Sequence, residues 1–514
     1  MELPALRYGR LLARLDRMPM LKAVVPLAAG IALADVCELP AWFLAAAFLT
    51  TGAAAMLLRS SLCTVAMLLT AGLAAAQLRA GEATVPRDVA TGWEIRIDDI
   101  PADRGRYFAA NGTITAWRDP ADGRWHAAAD GRWHAAADGR WHAAADRVIV
   151  RTDSLTPPEA GERLLCRGVV RPLRGGSESY RRLMRRRGFV GSIYLSGAQL
   201  LDREAGPGNR LHIGAVRRLG RLDLTAEAGA VVRAMTAGDR SGITSELREA
   251  YSRSGFSHLL AVSGLHTGIV FLLVNLATAW MPLLRRGHLL RNLVAAAAVW
   301  LFVAAAGFPP SAVRAAVMCT LLQLALASAS EYAGMNALAA AAFGMLLWNP
   351  AWLGDISFRL SFLAVGAILA WGVPLCRRLR TRWRALNTVI DAYVIGLVAT
   401  AATAPLVSHT FGILSLAGLL LNPAAILLAT VVVLGGTLWM VLPVGVLAPL
   451  FTAVLGAAAG GVNALARLTA ALPGGVVEYT LGGGATAVVY LFFAAATLAA
   501  WSVDAKKSVH LPNH

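Results

Sequence analysis

The chain has 514 residues, 57% of them hydrophobic and 15% charged, with a mean hydropathy of +0.56, which excludes an ordinary soluble globular protein and indicates a membrane protein. The net charge of +17 is almost all arginine, because the lysines are Lys22, Lys506 and Lys507. No Gly-Lys-Ser/Thr phosphate loop exists, which argues against ATP hydrolysis by that route.

A hydrocarbon core of ~30 Å takes roughly 17 to 25 helical residues to cross. Runs of that kind fall near 23 to 38, 41 to 58 and 62 to 78. They come after Arg7, Arg10, Arg14, Arg17 and Lys22, so the amino terminus is expected in the cytoplasm as a retained anchor, and the third crossing delivers the next segment of the chain to the outer face. Residues 1–79 are therefore read as a three-helix membrane segment.

Residues 80 to about 250 hold no such run. "NGTITAW" (111 to 117), "DRVIVRT" (146 to 152), "RLLCRGVV" (163 to 170) and "GFVGSIYL" (188 to 195) are short, rich in Val, Ile, Thr and Tyr, and bounded by turn formers. They predict strands of a small barrel or sandwich over 80–210. Within it, DGRWHAAA occurs three times between 122 and 145, which predicts an extended hairpin loop. Its Trp and His residues permit metal binding or base stacking, and the plainer expectation is a duplication tolerated in an exposed loop. The stretch 163 to 187 carries nine arginines against Glu178 alone. Arg171, Arg174, Arg181, Arg182, Arg185, Arg186 and Arg187 form its densest part, fitted to nucleic-acid phosphate or to anionic headgroups. Cys166 is alone in this region, so no internal disulfide closes it, and no zinc spacing appears.

Residues 211–256 are expected to be an amphipathic connecting segment, and 257–503 a second membrane bundle, with 504–514 as a cytoplasmic tail. Its crossings are placed from His258 to about 284, then near 292 to 308, 311 to 330, 335 to 349, 357 to 375, 388 to 408, 424 to 442, 446 to 466 and 484 to 502, with 412 to 423 left over as a partial helix. The basic loops around Arg285 and Arg286, Arg377 to Arg384, and Lys506 and Lys507 then all lie inside. This gives a polytopic α-helical membrane protein of about twelve crossings, with an inserted extracytoplasmic β-rich domain and both termini cytoplasmic.

An ionisable group in hydrocarbon costs about 2.5 kcal/mol or more, so each one points to a cavity or a partner. Here they are His258 and His266 in "HLLAVSGLHTGIV", Arg314 in "GFPPSAVRAA", Asp355 and Arg359 in "GDISFRLSF", Asp391, and His409 in "SHTFG". On a continuous helix His258 and His266 would lie about 80° apart and Ser263 and His266 about 60° apart, so that each pair shares a face. Gly264 and Gly268, the pair Pro309 and Pro310 before Ser311, and Asn422 with Pro423 predict interrupted helices, which membranes tolerate where they are buried in protein or line a water-filled path. The cluster is open to three readings from the residues: structural glue, a conduction path, or a nucleophile and base made by Ser263 and His266.

"HLLAVSGLHTGIV" (258 to 270) closely resembles the signature of the ComEC competence proteins. "AGD" (237 to 239), "GFPPSAVRA" (307 to 315), "NPAWLGDISFRLSFLAV" (349 to 365) and "APLVSHTFGILSLAGLLLNPAA" (404 to 425) keep to that family's order. The resemblance implies a channel for single-stranded DNA across the bacterial inner membrane in natural transformation. It implies an OB-like outer domain containing "GERLLCRGVVRPL" and "YRRLMRRRG", and a polar path involving His258, Ser263, His266, Ser311, Arg314, Asp355, Arg359, His409 and Asn422. Many relatives add a metallo-β-lactamase-like domain, whereas this sequence has no His-x-His-x-Asp-His cluster. A short form is therefore expected, with a separate DNA receptor, nuclease and cytoplasmic motor, membrane lipid as surroundings, and no cofactor or metal. Arg359 stands where the family often has Gln. The alternatives from other classes are a membrane-embedded hydrolase using Ser263 and His266, and a structural envelope-binding protein.

Overall fold

The computed structural model describes residues 16–504 except 35–36, 38, 80–84, 87, 99–100, 104–106, 119–125, 128–132, 135–140, 154–157, 159–160, 174–180, 182–183, 185–187, 205–209, 284–286, 327–332 and 443–444. Apolar length decides most of the architecture. Among the described residues eight helices are long and apolar enough to span a membrane. They are α2 (Ala41–Leu58), α3 (Ser61–Arg79), α8 (Gly287–Ala305), α11 (Ile356–Arg378), α12 (Arg384–Phe411), α13 (Leu416–Val441), α14 (Ala448–Ala471) and α15 (Gly483–Asp504). Four apolar helices are shorter: α1 (Pro19–Leu33), α7 (Gly264–Ala277), α9 (Pro310–Leu326) and α10 (Ala333–Trp348). The chain is thus a polytopic helical membrane protein carrying a β-sheet domain in its N-terminal half.

Helix approach in lipid depends on small residues, since hydrocarbon gives no hydrophobic drive between helices. α1 and α3 meet backbone to backbone through Gly30 and Gly72: a methyl on Gly30 would overlap the Leu69 carbonyl oxygen, and one on Gly72 the Leu27 carbonyl oxygen. α1 also packs with α10 and α11 around Leu27, Ile31, Met345, Leu346 and Phe358. α11 contains one π turn, Ile368–Gly372, which ends two residues before Pro374, whose missing N–H a wider turn accommodates.

Period-two burial builds the sheet domain. Its main strands are β1 (Ala90–Ile97), β3 (Phe108–Arg118), β7 (Arg147–Thr152), β8 (Arg163–Val169), β9 (Phe189–Leu195) and β10 (Leu200–Glu204), in the order β10-β8-β1-β3-β7-β9. β7 and β9 are parallel, while the other neighbouring pairs in that order are antiparallel. Arg171 and Ser192 exchange two backbone hydrogen bonds of 2.8 and 2.9 Å, which brings β9 back to the chain leaving β8. Trp93, fully enclosed, donates from Nε1 to the Gly168 carbonyl at 2.9 Å. The Cys166 thiol beside it is also enclosed, and burial pushes its pKa well above the ordinary thiol value.

The repeat is structured in part. β2 (Ala102–Asp103) and β6 (Trp141–Ala143) pair with β3, and β4 (His126–Ala127) pairs with β5 (Trp133–His134). The third copy is therefore held on the sheet, with His142 stacked on Trp117 at 4.5 Å, whereas the first two pair with each other.

The connecting segment forms α4 (Arg210–Leu219), α5 (Ala226–Ala237) and α6 (Ser245–Arg253), whose apolar side chains join the core of the bundle. Thr225 caps α5 by accepting from Ala228 N, and every residue from Ala228 to Ala237 except Arg233 is buried. α5 lies against α13 and α14, where Gly436 leaves room for Thr236. Arg218 and Trp439 clamp α4 to the end of α13: Arg218 Nε donates to the Trp439 carbonyl at 2.7 Å, and Trp439 Nε1 donates to the Arg218 carbonyl at 3.0 Å.

Two expected interruptions fall differently. The helix expected from His258 begins at Gly264, so His258 and His266 do not share one helix. Residues 416 to 423 are the first turns of α13, which continues through Pro423, so the partial helix at 412 to 423 and the break at Asn422 are both corrected. Residues 413–415 form β11 (Ile413–Ser415), paired with β12 (Val476–Glu478).

Candidate functional site

The stretch from Ser254 to His266 is shaped by three backbone features. Gly255 has a left-handed backbone (φ 80°) that ends α6, and a side chain on it would meet Ser415 at 3.0 Å. Residues 256–258 make one 3₁₀ turn, with His258 exposed and its Nδ1 3.1 Å from the Gly255 carbonyl oxygen. Ser263 is extended (φ −111°, ψ 174°) and opens α7 with its carbonyl, which accepts from Thr267 N and Thr267 Oγ1, each at 3.1 Å.

α7 buries His266, Thr267 and Val270 in its first turns. His266 is fully enclosed. Its ring lies against the Met235 backbone of α5 and within electrostatic reach of His258. Neither ring nitrogen meets hydrogen-bond geometry with any described residue, and the same holds for the enclosed Ser263 Oγ. Ser263 and His266 therefore share no hydrogen bond, and the ready-made nucleophile and base expected of a hydrolase are not assembled.

Two further turns close around this segment. Gly238 (φ 76°) comes directly after α5, and a side chain there would come 2.8 Å from the Ala306 carbonyl oxygen and 3.5 Å from Val262. Asp239, nearly enclosed, accepts from Ser241 N at 2.9 Å and pairs with Arg233 at 3.4 Å. Opposite it, Gly307 and Phe308 both have positive φ, and His212 Nδ1 lies 3.0 Å from the Ala305 carbonyl oxygen. Ser311 Oγ, at the start of α9, donates to the Val262 carbonyl at 2.5 Å. Three separate sequence motifs, "AGD", the 258 to 270 stretch and "GFPPS", thus meet in one place.

Arg314, one turn further along α9 and 3% exposed, donates from Nη2 to the Ser357 carbonyl at 3.1 Å, Ser357 Oγ at 2.6 Å and Ser361 Oγ at 3.3 Å. It ties α9 to α11. Asp355 caps α11 by accepting from Ser357 N at 2.7 Å, and Arg359, exposed, donates from Nε to the Leu353 carbonyl at 2.6 Å. His409 is exposed near the end of α12, with Nδ1 2.8 Å from the Leu481 carbonyl oxygen. Asn422 sits on the face of α13 that carries Gly418 and Ala425, and its enclosed Oδ1 makes no hydrogen bond to a described residue. Gly418 touches the Ser254 carbonyl, which docks α13 on the chain leading to Ser263.

In the sheet domain Arg171 is exposed and Arg181 half-buried. Arg174, Arg182, Arg185, Arg186 and Arg187 lie outside the described residues. Among the described residues no group of three or more His, Cys, Asp and Glu side chains has metal-binding placement. Sequence reasoning passed over His212 and Arg233, and met Asp239 only as the last residue of "AGD". His212 carries a usable signal, since it shares the apolar stripe of α4 with Ala215 and Leu219.

The model of the family described as "Competence protein" matches residues 235–504. ComE operon protein 3 of Bacillus subtilis strain 168 is 28% identical over 197 residues, covering 37% of this chain and 24% of that relative. The match thus spans about a quarter of the relative's length. No solved structure matches the chain.

Proposed function

Because the chain belongs to the competence protein family, we propose that it passes one strand of incoming DNA across the bacterial inner membrane during natural transformation. The polar path runs past His258, Ser263, His266 and Asn422, framed by Ser311 and Arg314 and flanked by Asp355, Arg359 and His409. The observation that carries this reading is the set of enclosed polar atoms without partners on Ser263 and His266, at the break that opens α7. A buried donor or acceptor left unmet costs about 1–3 kcal/mol. Such atoms call for a partner that the described residues do not supply, in this reading the passing strand or the water around it.

The eight long helices and four shorter ones supply the twelve crossings of this reading, with both termini in the cytoplasm. The division into 1–79, 80–210, 211–256, 257–503 and 504–514 is kept, with 211–256 packed onto the bundle. The outer domain is read as an OB-type barrel, supported by the cyclic order β1-β3-β7-β9-β8 with β7 and β9 parallel. Arginines 171 to 187 hold the strand by its phosphates at that domain. Sparse cations along the path keep the polyanion moving, because dense arginine would retain it. The protein's partners in this reading are a DNA receptor, a nuclease and a cytoplasmic motor.

The test is uptake of labelled DNA into the cytoplasm of the native host. A deletion strain is complemented with the wild-type protein or with His258→Ala/His266→Ala at matched membrane levels. Restoration by the wild type alone is expected. Equal restoration by both removes these histidines from the mechanism.

A further inference from the structure

A second cationic feature lies apart from the path just described. Between α11 and α12 five of the eight residues 377–384 are arginines (Arg377, Arg378, Arg380, Arg382 and Arg384), and all five are exposed. Asp391 is the one acid in residues 367–394. It pairs with Arg380 at 3.6 Å.

The loop is built rather than loose. Asn387, in the first turn of α12, accepts from Thr381 N at 2.8 Å and from Thr381 Oγ1 at 2.9 Å, and donates from Nδ2 to the Thr381 carbonyl at 2.9 Å. One asparagine side chain therefore holds both backbone groups of Thr381. Five residues, 379 to 383, separate two membrane-spanning helices, so the arginines are kept close to the ends of those helices. Leu375, Leu379, Trp383 and Leu386 are also exposed, Trp383 at 62%. The Arg382 guanidinium lies 5.7 Å from the Trp383 ring centre. An exposed tryptophan among leucines belongs at the level of lipid headgroups, where its ring sits between hydrocarbon and water.

We propose that residues 377–384 form a preorganised binding site for anionic phospholipid headgroups. Charge complementarity favours a phosphate-bearing ligand, and the apolar surround favours one presented at a membrane surface. The arginine forks grip the headgroup phosphate while Trp383 and the leucines rest against the acyl boundary. Each cation near an anionic surface contributes on the order of 1 kcal/mol, roughly a fivefold change in affinity.

The experiment uses the full chain in neutral detergent. Bound lipid is counted by native mass spectrometry during titration with phosphatidylglycerol or phosphatidylcholine. The triple substitution Arg380→Gln/Arg382→Gln/Arg384→Gln is expected to weaken phosphatidylglycerol binding at least about tenfold and to leave phosphatidylcholine unchanged. Affinity within about twofold of wild type, or equal loss of both lipids, overturns the proposal. A fluorescent single-stranded oligonucleotide provides the other arm: if the triple variant loses the oligonucleotide and keeps the lipid, the surface reads nucleic acid and the proposal fails. Should that variant fold poorly, wild-type binding is measured while salt rises from about 0.05 to 0.5 M, a range over which the screening length falls severalfold. Weakened phosphatidylglycerol binding supports a charge-built site, and indifference to salt overturns it.

Discussion

Replacing His266 with leucine separates stability from function. Neutral imidazole carries one donor and one acceptor. In this fully enclosed ring neither nitrogen is in full hydrogen-bond geometry, with the Met235 backbone lying against it; one or both groups unmet, at about 1–3 kcal/mol each, load the folded state by on the order of 1–6 kcal/mol. Leucine removes both polar groups, and the change of shape returns about 1–1.5 kcal/mol of misfit in a core that buries Thr267 and Val270 beside it. His266→Leu is therefore expected to unfold no earlier than wild type, with a gain of up to about 5 kcal/mol. Thermal unfolding in detergent and uptake of labelled DNA are measured on the same preparations and strains. The expected pairing is retained or raised stability with uptake abolished. A loss of about 2 kcal/mol or more would mean that the ring is satisfied within the fold, and the reasoning from unmet polar atoms would fall. Normal uptake in a stable variant would refute the functional half alone.

Gly418→Ala places a methyl on the Ser254 carbonyl oxygen, so α13 must shift. A loss of about 1–3 kcal/mol is expected in thermal unfolding, and an unchanged midpoint would show that this contact gives freely. Arg218→Ala removes the charged donor from the Trp439 carbonyl and from the end of α13. Because that side chain is half-exposed, a loss of about 1 kcal/mol is expected, with Arg218→Lys recovering only part of it. The raised thiol pKa of Cys166 makes it resist alkylation at pH 8 in the native protein and react after unfolding, which peptide mass spectrometry can track. The unfolded thiol ionises above about pH 9 while the buried one stays neutral, so stability falls as pH rises beyond that point. A flat stability profile between about pH 8 and 10.5 would contradict the enclosure of that side chain.

Local patterns carried much of the fold. The four β-rich segments became β3, β7, β8 and β9, because alternation and β-branched residues act within a strand and need no distant partner. The long apolar runs likewise became helices. What escaped depended on neighbours distant in sequence. "HLLAVSGLHTGIV" has the composition of one helix, yet Gly255 and the extended Ser263 delay its start, and the tie from Ser311 to Val262 comes from another helix. Pro423 looked like a break, but α13 runs through it. Of the candidate site, Ser263, His266 and Ser311 were legible as polar residues in apolar surroundings. The meeting of their loop with Gly238 and Gly307 was not, because glycines reveal close approach only when the opposing backbone is known.

Burial of α5 on all but one of its positions from Ala228 onward bears on biosynthesis. The partners of this region are synthesised much later: Arg218 meets Trp439 221 residues downstream, and Tyr251 hydrogen-bonds Asn463 212 residues downstream. Until α13 and α14 have been inserted, an alanine- and valine-rich helix with no polar face waits outside its slot. At translation rates of about 5–20 residues per second that wait lasts on the order of ten seconds or more, a window for quality-control proteases. Nascent chains arrested before α13 and α14 would leave the slot open, because those two helices form its walls.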